Sequence, residues 1–225
     1  MTVLGDDQRY QAAVIELVGV LAIGELMAFQ RTAADAALAP DLADQAALAR
    51  MADAEYRHFL ALAERIEQLG GDPFVVMAPF QASLAEFHAH TAPSDWLEGL
   101  VKAYVGDGIA TDFYVEIAAY VDPQTRALVE QVCLDMGYAE FVVDRVRAAI
   151  IADPKIGGRL ALWGRRLVGE ALSQAQRVAA EHDGLSSLLV GGVERPGADL
   201  AEIGRMLARL TESHTKRMTA LGLAA

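Results

Sequence analysis

Five residues stand where their types and spacing can do chemistry: Glu25, Glu55, His58, Asp107 and Asp135. Each interrupts an otherwise apolar stripe. The pattern is clearest in the stretch from Leu48 to Leu69, where Leu48, Met51, Leu62, Ile66 and Leu69 recur at helical steps. Such steps mark one face of an α-helix. Glu55 and His58 occupy that same face three residues apart, so their side chains project together. A charged carboxylate on a core face is costly unless something compensates it. Carboxylates joined by an imidazole form a ligand set for iron or manganese. For any one of these residues the plainer reading is pairing with Arg, Lys or Tyr inside the core.

Six long helices are predicted to position these residues. The first spans residues 6–39, with Asp6 or Asp7 as cap and Pro40 as stop. Its stripe is Val14, Val18, Leu21, Glu25, Ala28 and Thr32, and Gly24 beside Glu25 suggests close packing. The second spans residues 41–69 and ends at Gly70-Gly71. The short link between them makes them antiparallel neighbours. Residues 72–94 are a long crossover holding a short helix near residues 81–90. The third helix spans residues 95–122, its stripe interrupted by Asp107 between Gly106 and Gly108. Two mid-helix glycines cost about 2 kcal/mol; close helix approach or a local distortion at a site explains them. The fourth helix spans residues 123–152, with Pro123 in its first turn. Asp135 and Tyr138 hold in it the places of Glu55 and His58. The fifth (155–182) and sixth (199–221) follow, with Asp95/Glu98 and Asp199/Glu202 read as capping boxes. The expected organisation is a four-helix bundle over residues 1–152, with two C-terminal helices over 153–225 packed on it.

The two halves repeat. Val20-Leu-Ala-Ile-Gly-Glu25 parallels Lys102-Ala-Tyr-Val-Gly-Asp107, each a glycine then a carboxylate in mid-helix. The next stripe carboxylate follows after 30 residues in the first half (Glu55) and 28 in the second (Asp135). Four carboxylates can thus meet at one level of a bundle. Matching His58 to Glu140 instead fails, because Glu140 lies roughly 140° around the helix from Asp135 at about 100° per residue.

The segments GELMAFQR (24–31), AEYRHF (54–59), YVGDGIATDFY (104–114) and LDMGYAEF (134–141) carry a resemblance. The chain resembles the ferritin-like di-iron carboxylate proteins, in which Glu-x-x-His is the helical half-site. More narrowly, it is similar to actinobacterial relatives of the tRNA hydroxylase acting on methylthio-isopentenyladenosine. The narrower likeness runs on through residues 157–176. The resemblance implies an all-α, up-down four-helix bundle with a long crossover. It also implies a di-iron, oxygen-activating hydroxylase with an external electron donor and tRNA as possible substrate. Its ligands would be Glu25, Glu55, His58, Asp107 and Asp135, with Glu25 and Glu55 also catalytic. The family pattern has a second histidine where this chain has Tyr138, and two of the carboxylates are the shorter Asp. Two irons, one metal, manganese or an empty site are therefore the open alternatives, and Tyr138 is a candidate catalytic phenol or hydrogen-bond partner. The alternative reading is a ferritin-like structural or interaction protein that has lost catalysis; iron oxidation and storage is a third.

Bulk properties narrow the field. The chain has 225 residues, 53% of them hydrophobic, enough for one sizeable core. A net charge of −12 argues against a broad nucleic-acid surface. No unbroken apolar run of membrane-spanning length is read, nor any signal-peptide pattern, so a cytoplasmic protein is expected; a homodimer is one expected assembly. The single Cys133 rules out an internal disulfide and reads as inert. His88 and His90 are expected to face solvent, His182 to sit at a helix C-terminus and His214 to be packed. Arg159, Arg165 and Arg166 form either a solvated face or a phosphate patch, and Glu170 is left outside the site.

Overall fold

A computed structural model describes residues 5–134, 138–191 and 197–225, and every regular element among them is helical. Asp135 lies outside the described residues. The first predicted helix is α1 (Asp6–Asp35), extended by a 3-10 turn at Ala36–Leu38. Its N-cap is Gly5 rather than either aspartate, with the Gly5 N–H donating to Gln8 Oε1 at 3.1 Å. The second is α2 (Leu42–Gln68), capped by Asp41, whose carboxylate accepts from the Asp44 N–H at 2.9 Å. It ends where Gly70 turns to φ +85°, a conformation that favours glycine. The crossover holds α3 (Pro73–Met77) and α4 (Gln81–His90), the latter where the sequence placed it.

The third predicted helix is not uniform. It consists of α5 (Trp96–Val101), a π-helical stretch at Lys102–Gly106, and α6 (Asp107–Ala118). Both explanations for its glycines apply. Gly106 lies in the π stretch, and a Cβ on Gly108 would sit 2.7 Å from Arg217 Cδ. The fourth predicted helix is described in two parts, α7 (Pro123–Leu134) and α8 (Ala139–Ala152), with Tyr138 at the N-cap of α8, and residues 135–137 between them lie outside the described residues. Then come α9 (Lys155–Glu181), α10 (Asp183–Val190) and α11 (Leu200–Ala220). Residues 185–193 are an apolar link that the sequence places against the bundle, and its part within α10 does lie there, since α10 meets α1 and α9.

Helix α1 packs along α2, α2 meets α7, α7 meets α6, and α5 touches α1 and α8. These contacts close the four-helix bundle, and α9 and α11 lie on the π stretch and its flanking helices. By length and composition alone α1 and its 3-10 turn could cross a bilayer, contrary to the sequence reading. That is weak evidence of a span, because core helices share the property. Half of the apolar window is buried, and α1 supplies Val14, Leu17, Val18 and Leu21 to the core.

The core has two apolar clusters. One gathers α1, the C-terminal part of α2, α6, α7 and α10; the other gathers α5, α8, α9 and α11. Along α2, Leu48 and Met51 belong to the second cluster, and Phe59, Leu62 and Ile66 to the first. Glu55 and His58 fall at the seam between them. The two expected capping boxes are half formed. Asp95 and Asp199 accept from the N–H groups of Glu98 and Glu202, but Glu98 turns to Ser94 and Arg159, and Glu202 to Arg205 and Arg209. On the sixth helix the sequence places Leu200, Ile203, Leu207, Leu210 and Leu221 on one apolar stripe, but Leu200 and Leu207 are exposed, and the buried face is Met206, Leu210, His214 and Met218. His214 is packed, as expected.

Candidate metal centre

Antiparallel packing of α1 on α2 brings Glu25 beside Glu55 and His58. One ligand atom from each lies within 4.8 Å of the others. His58 Nδ1 is 3.2 Å from Glu25 Oε2 and 4.0 Å from Glu55 Oε2. Glu25 also hydrogen-bonds Glu55, a contact that requires a proton between the two carboxyl groups. Burial pushes Glu25 up to about 7; the bond to Glu55 opposes this and the charge of Asp107 reinforces it. Asp107 is held well above the usual carboxylate range by burial first and by Glu55 second, with Lys102 opposing. It stands outside the close trio but interacts electrostatically with both glutamates.

This donor set fits a hard or borderline metal ion. Carboxylates crowded in a buried site destabilise one another's charged forms. A divalent cation would relieve that repulsion and displace the protons the site otherwise retains. The helical irregularity falls at the same place, since π-helical turns inside α-helices concentrate at functional sites. Lys102 on that stretch is buried, and its Nζ donates to the Thr91 carbonyl at 2.7 Å. Burial pushes its ammonium down to about 8.

The trio opens on a cavity of about 300 Å³. Asp107 and Tyr138 line it too, among mostly apolar neighbours such as Leu17, Leu21, Phe113 and Ile117. Tyr138 is buried in its wall, so the structure brings five of the six predicted site residues to one cavity, and the sixth, Asp135, is not described. Gly24 serves this opening rather than close packing: a Cβ there would meet nothing within 4 Å. Cys133 is buried, its thiol pushed up to about 12 by burial and by the Glu25 charge.

Sequence reasoning misplaced several groups. His88 was expected in solvent but lines the cavity, and its Nδ1 is sealed from water with no hydrogen-bond partner among the described residues. Burial, with Lys102 and Arg31 nearby, pushes its imidazole down to about 3. The spacing of Leu84, Phe87 and His88 on α4 was the available signal. His90 is half exposed, 3.4 Å from Glu170. His182 caps the end of α9 as expected and stacks on Phe80 at 4.3 Å. The arginines are turned to internal acceptors. Arg159 pairs with Asp95 and Glu98, while Arg165 donates to the Ala224 carbonyl and Arg166 to that of His90. They are not an unengaged phosphate patch.

The sequence matches the family described as the ferritin-like domain of actinomycetes over residues 8–192. The helical bundle agrees with that match, and the chain belongs to this family. No curated protein matches it.

Proposed function

We propose that this protein is a metal-dependent, oxygen-activating oxidoreductase that hydroxylates an apolar substrate. The observation that carries the reading is the convergence of Glu25, Glu55 and His58 on the wall of a largely apolar cavity. These three would hold one metal; Asp107 and Asp135 would contribute to a second position. Iron bound there would supply the electrons that activate dioxygen for C–H hydroxylation, replenished by an external donor. Glu25 and Glu55 would exchange their shared proton for metal charge, and His58 would present a ring nitrogen. The buried Tyr138 phenol would donate a hydrogen bond or a proton within the cavity, and the apolar wall would exclude water from the reacting centre.

Resemblance makes a tRNA nucleoside one candidate substrate, and the same proposal includes a cytoplasmic location and a homodimer. The test is dioxygen consumption by iron-loaded, chemically reduced protein, beside His58→Ala. Uptake that depends on His58 supports the reading, and equal uptake by both proteins sinks it. For the tRNA version, hydroxylated nucleosides are measured by mass spectrometry in a deletion strain; an unchanged profile removes tRNA.

A second reading is a ferritin-like interaction protein without catalysis. Tyr138 in place of histidine favours it, as does the mutual hydrogen bonding of Glu25, Glu55 and His58, which satisfies the trio internally. It is supported instead if Glu55→Ala and His58→Ala leave a deletion phenotype fully complemented.

A further inference from the structure

Two polar side chains on the cavity wall are not used by the carboxylate centre. Gln174 on α9 is buried, and its Nε2 is sealed from water without a hydrogen-bond partner among the described residues. His88 on α4 has its Nδ1 in the same condition. Buried polar groups are nearly always paired, so two unpaired ones on one cavity wall require an explanation. A packing role does not supply one, because an apolar side chain of similar size would pack equally well without the desolvation penalty. Both groups end in a broad, easily turned torsion, so a ligand can recruit them by rotation of one amide and one imidazole.

The cavity's charges limit what that ligand is. Among the described residues no Lys or Arg lines it, whereas Glu25, Glu55 and Asp107 do. A buried anion would find no counter-charge there and would face carboxylates. His88 stays neutral between Lys102 and Arg31, so it offers no cation to an acid either. The exposed wall residues Leu172 and Val190, on α9 and α10, are apolar, which suits entry of a hydrocarbon portion.

We propose that Gln174 and His88 form a polar subsite that anchors the single uncharged acceptor, a hydroxyl or a carbonyl, of an otherwise apolar ligand, whose hydrocarbon part lies along the cavity toward Glu25, Glu55 and His58. The proposal rests on the oxidoreductase reading for the fate of the ligand, but binding itself needs no turnover. The Gln174 amide donates to the acceptor from one side. The imidazole of His88 donates from another in its Nδ1–H tautomer, and accepts from a hydroxyl in the other tautomer.

The test is calorimetric titration of the purified full-length protein with 1-decanol and, separately, with decanoate at mildly alkaline pH. Metal content is measured on the same samples. Decanol is expected to bind, and decanoate to bind at least about tenfold more weakly, the cost of burying its charge. Gln174→Leu and His88→Leu are each expected to weaken decanol about fivefold, the loss of one hydrogen bond. Without ligand, Gln174→Leu is expected to leave the melting temperature unchanged or raised, because it removes an unpaired group. A fall would show that the amide holds the fold. Equal binding of the two probes, no decanol binding, affinity unchanged in both variants, or a destabilised Gln174→Leu overturns the proposal. Failure of the metal reading appears separately, as a lack of metal with decanol binding intact.

Discussion

Replacing Glu25 by Gln should stabilise the metal-free protein at alkaline pH and cost it the metal. The Glu25 carboxyl is lifted from 4.5 to about 7, chiefly by burial. Between those two values the folded state holds a proton that the unfolded chain has lost. Stability therefore falls as pH rises through the window and levels off above about 7. A lift of about 2.5 units corresponds to about 3 kcal/mol, an order-of-magnitude figure for a side chain still 22% exposed. Glutamine keeps the shape and the hydrogen bonding but has no charge to desolvate. Urea unfolding of chelator-treated protein at several pH values across the window gives the comparison. Wild type should lose stability relative to Glu25→Gln by about 2–3 kcal/mol from the acid to the alkaline end. Adding ferrous iron anaerobically should reverse the order, because only the wild type retains the carboxylate that a metal stabilises. Parallel pH profiles for the two proteins would refute the claim that Glu25 is a desolvated, proton-holding ligand.

Two further outcomes follow from the packing. Arg65 is buried on α2; its guanidinium donates to Thr125 Oγ1 at 2.9 and 3.0 Å and to Asp122 at 3.1 Å, tying α2 to the start of α7. Arg65→Met should lose about 2–3 kcal/mol in chemical denaturation, the scale of hydrogen bonds to a charged group; a loss below about 0.5 kcal/mol, the range of an ordinary surface change, would contradict the buried network. Cys133, buried with its thiol pushed up to about 12, should resist iodoacetamide in the native protein and react once unfolded. Rapid native alkylation followed by mass spectrometry would show that this wall of the cavity is open.

Much of the fold was legible because helices carry their own punctuation. Asp95 and Asp199 cap as read, and Leu48, Met51, Leu62 and Ile66 of the second helix's stripe are buried. The trio of Glu25, Glu55 and His58 was legible for the same reason: a polar residue in an apolar stripe shows in sequence at helical spacing. What escaped is set between elements. The π stretch at Lys102–Gly106 left only Gly106 as a trace, since the backbone register inside a helix has no periodicity of its own. Lys102 is buried and His88 half-buried because α9 packs over the crossover and the π stretch, a tertiary event that local polarity does not reveal. The Arg159 pairing with Asp95 and Glu98 joins residues more than sixty positions apart. Stripe arithmetic on the sixth helix favoured Leu200 and Leu207, but the packed face is decided by what α11 meets on α6.

The central claim is a metal centre built on Glu25, Glu55 and His58, and metal content per chain tests it most directly. Protein from iron-supplemented cells would be analysed by elemental mass spectrometry beside Glu55→Ala. The account expects about one to two irons per wild-type chain and almost none in the variant with its fold intact by circular dichroism. Almost no metal in either protein, or equal metal in both, would contradict it.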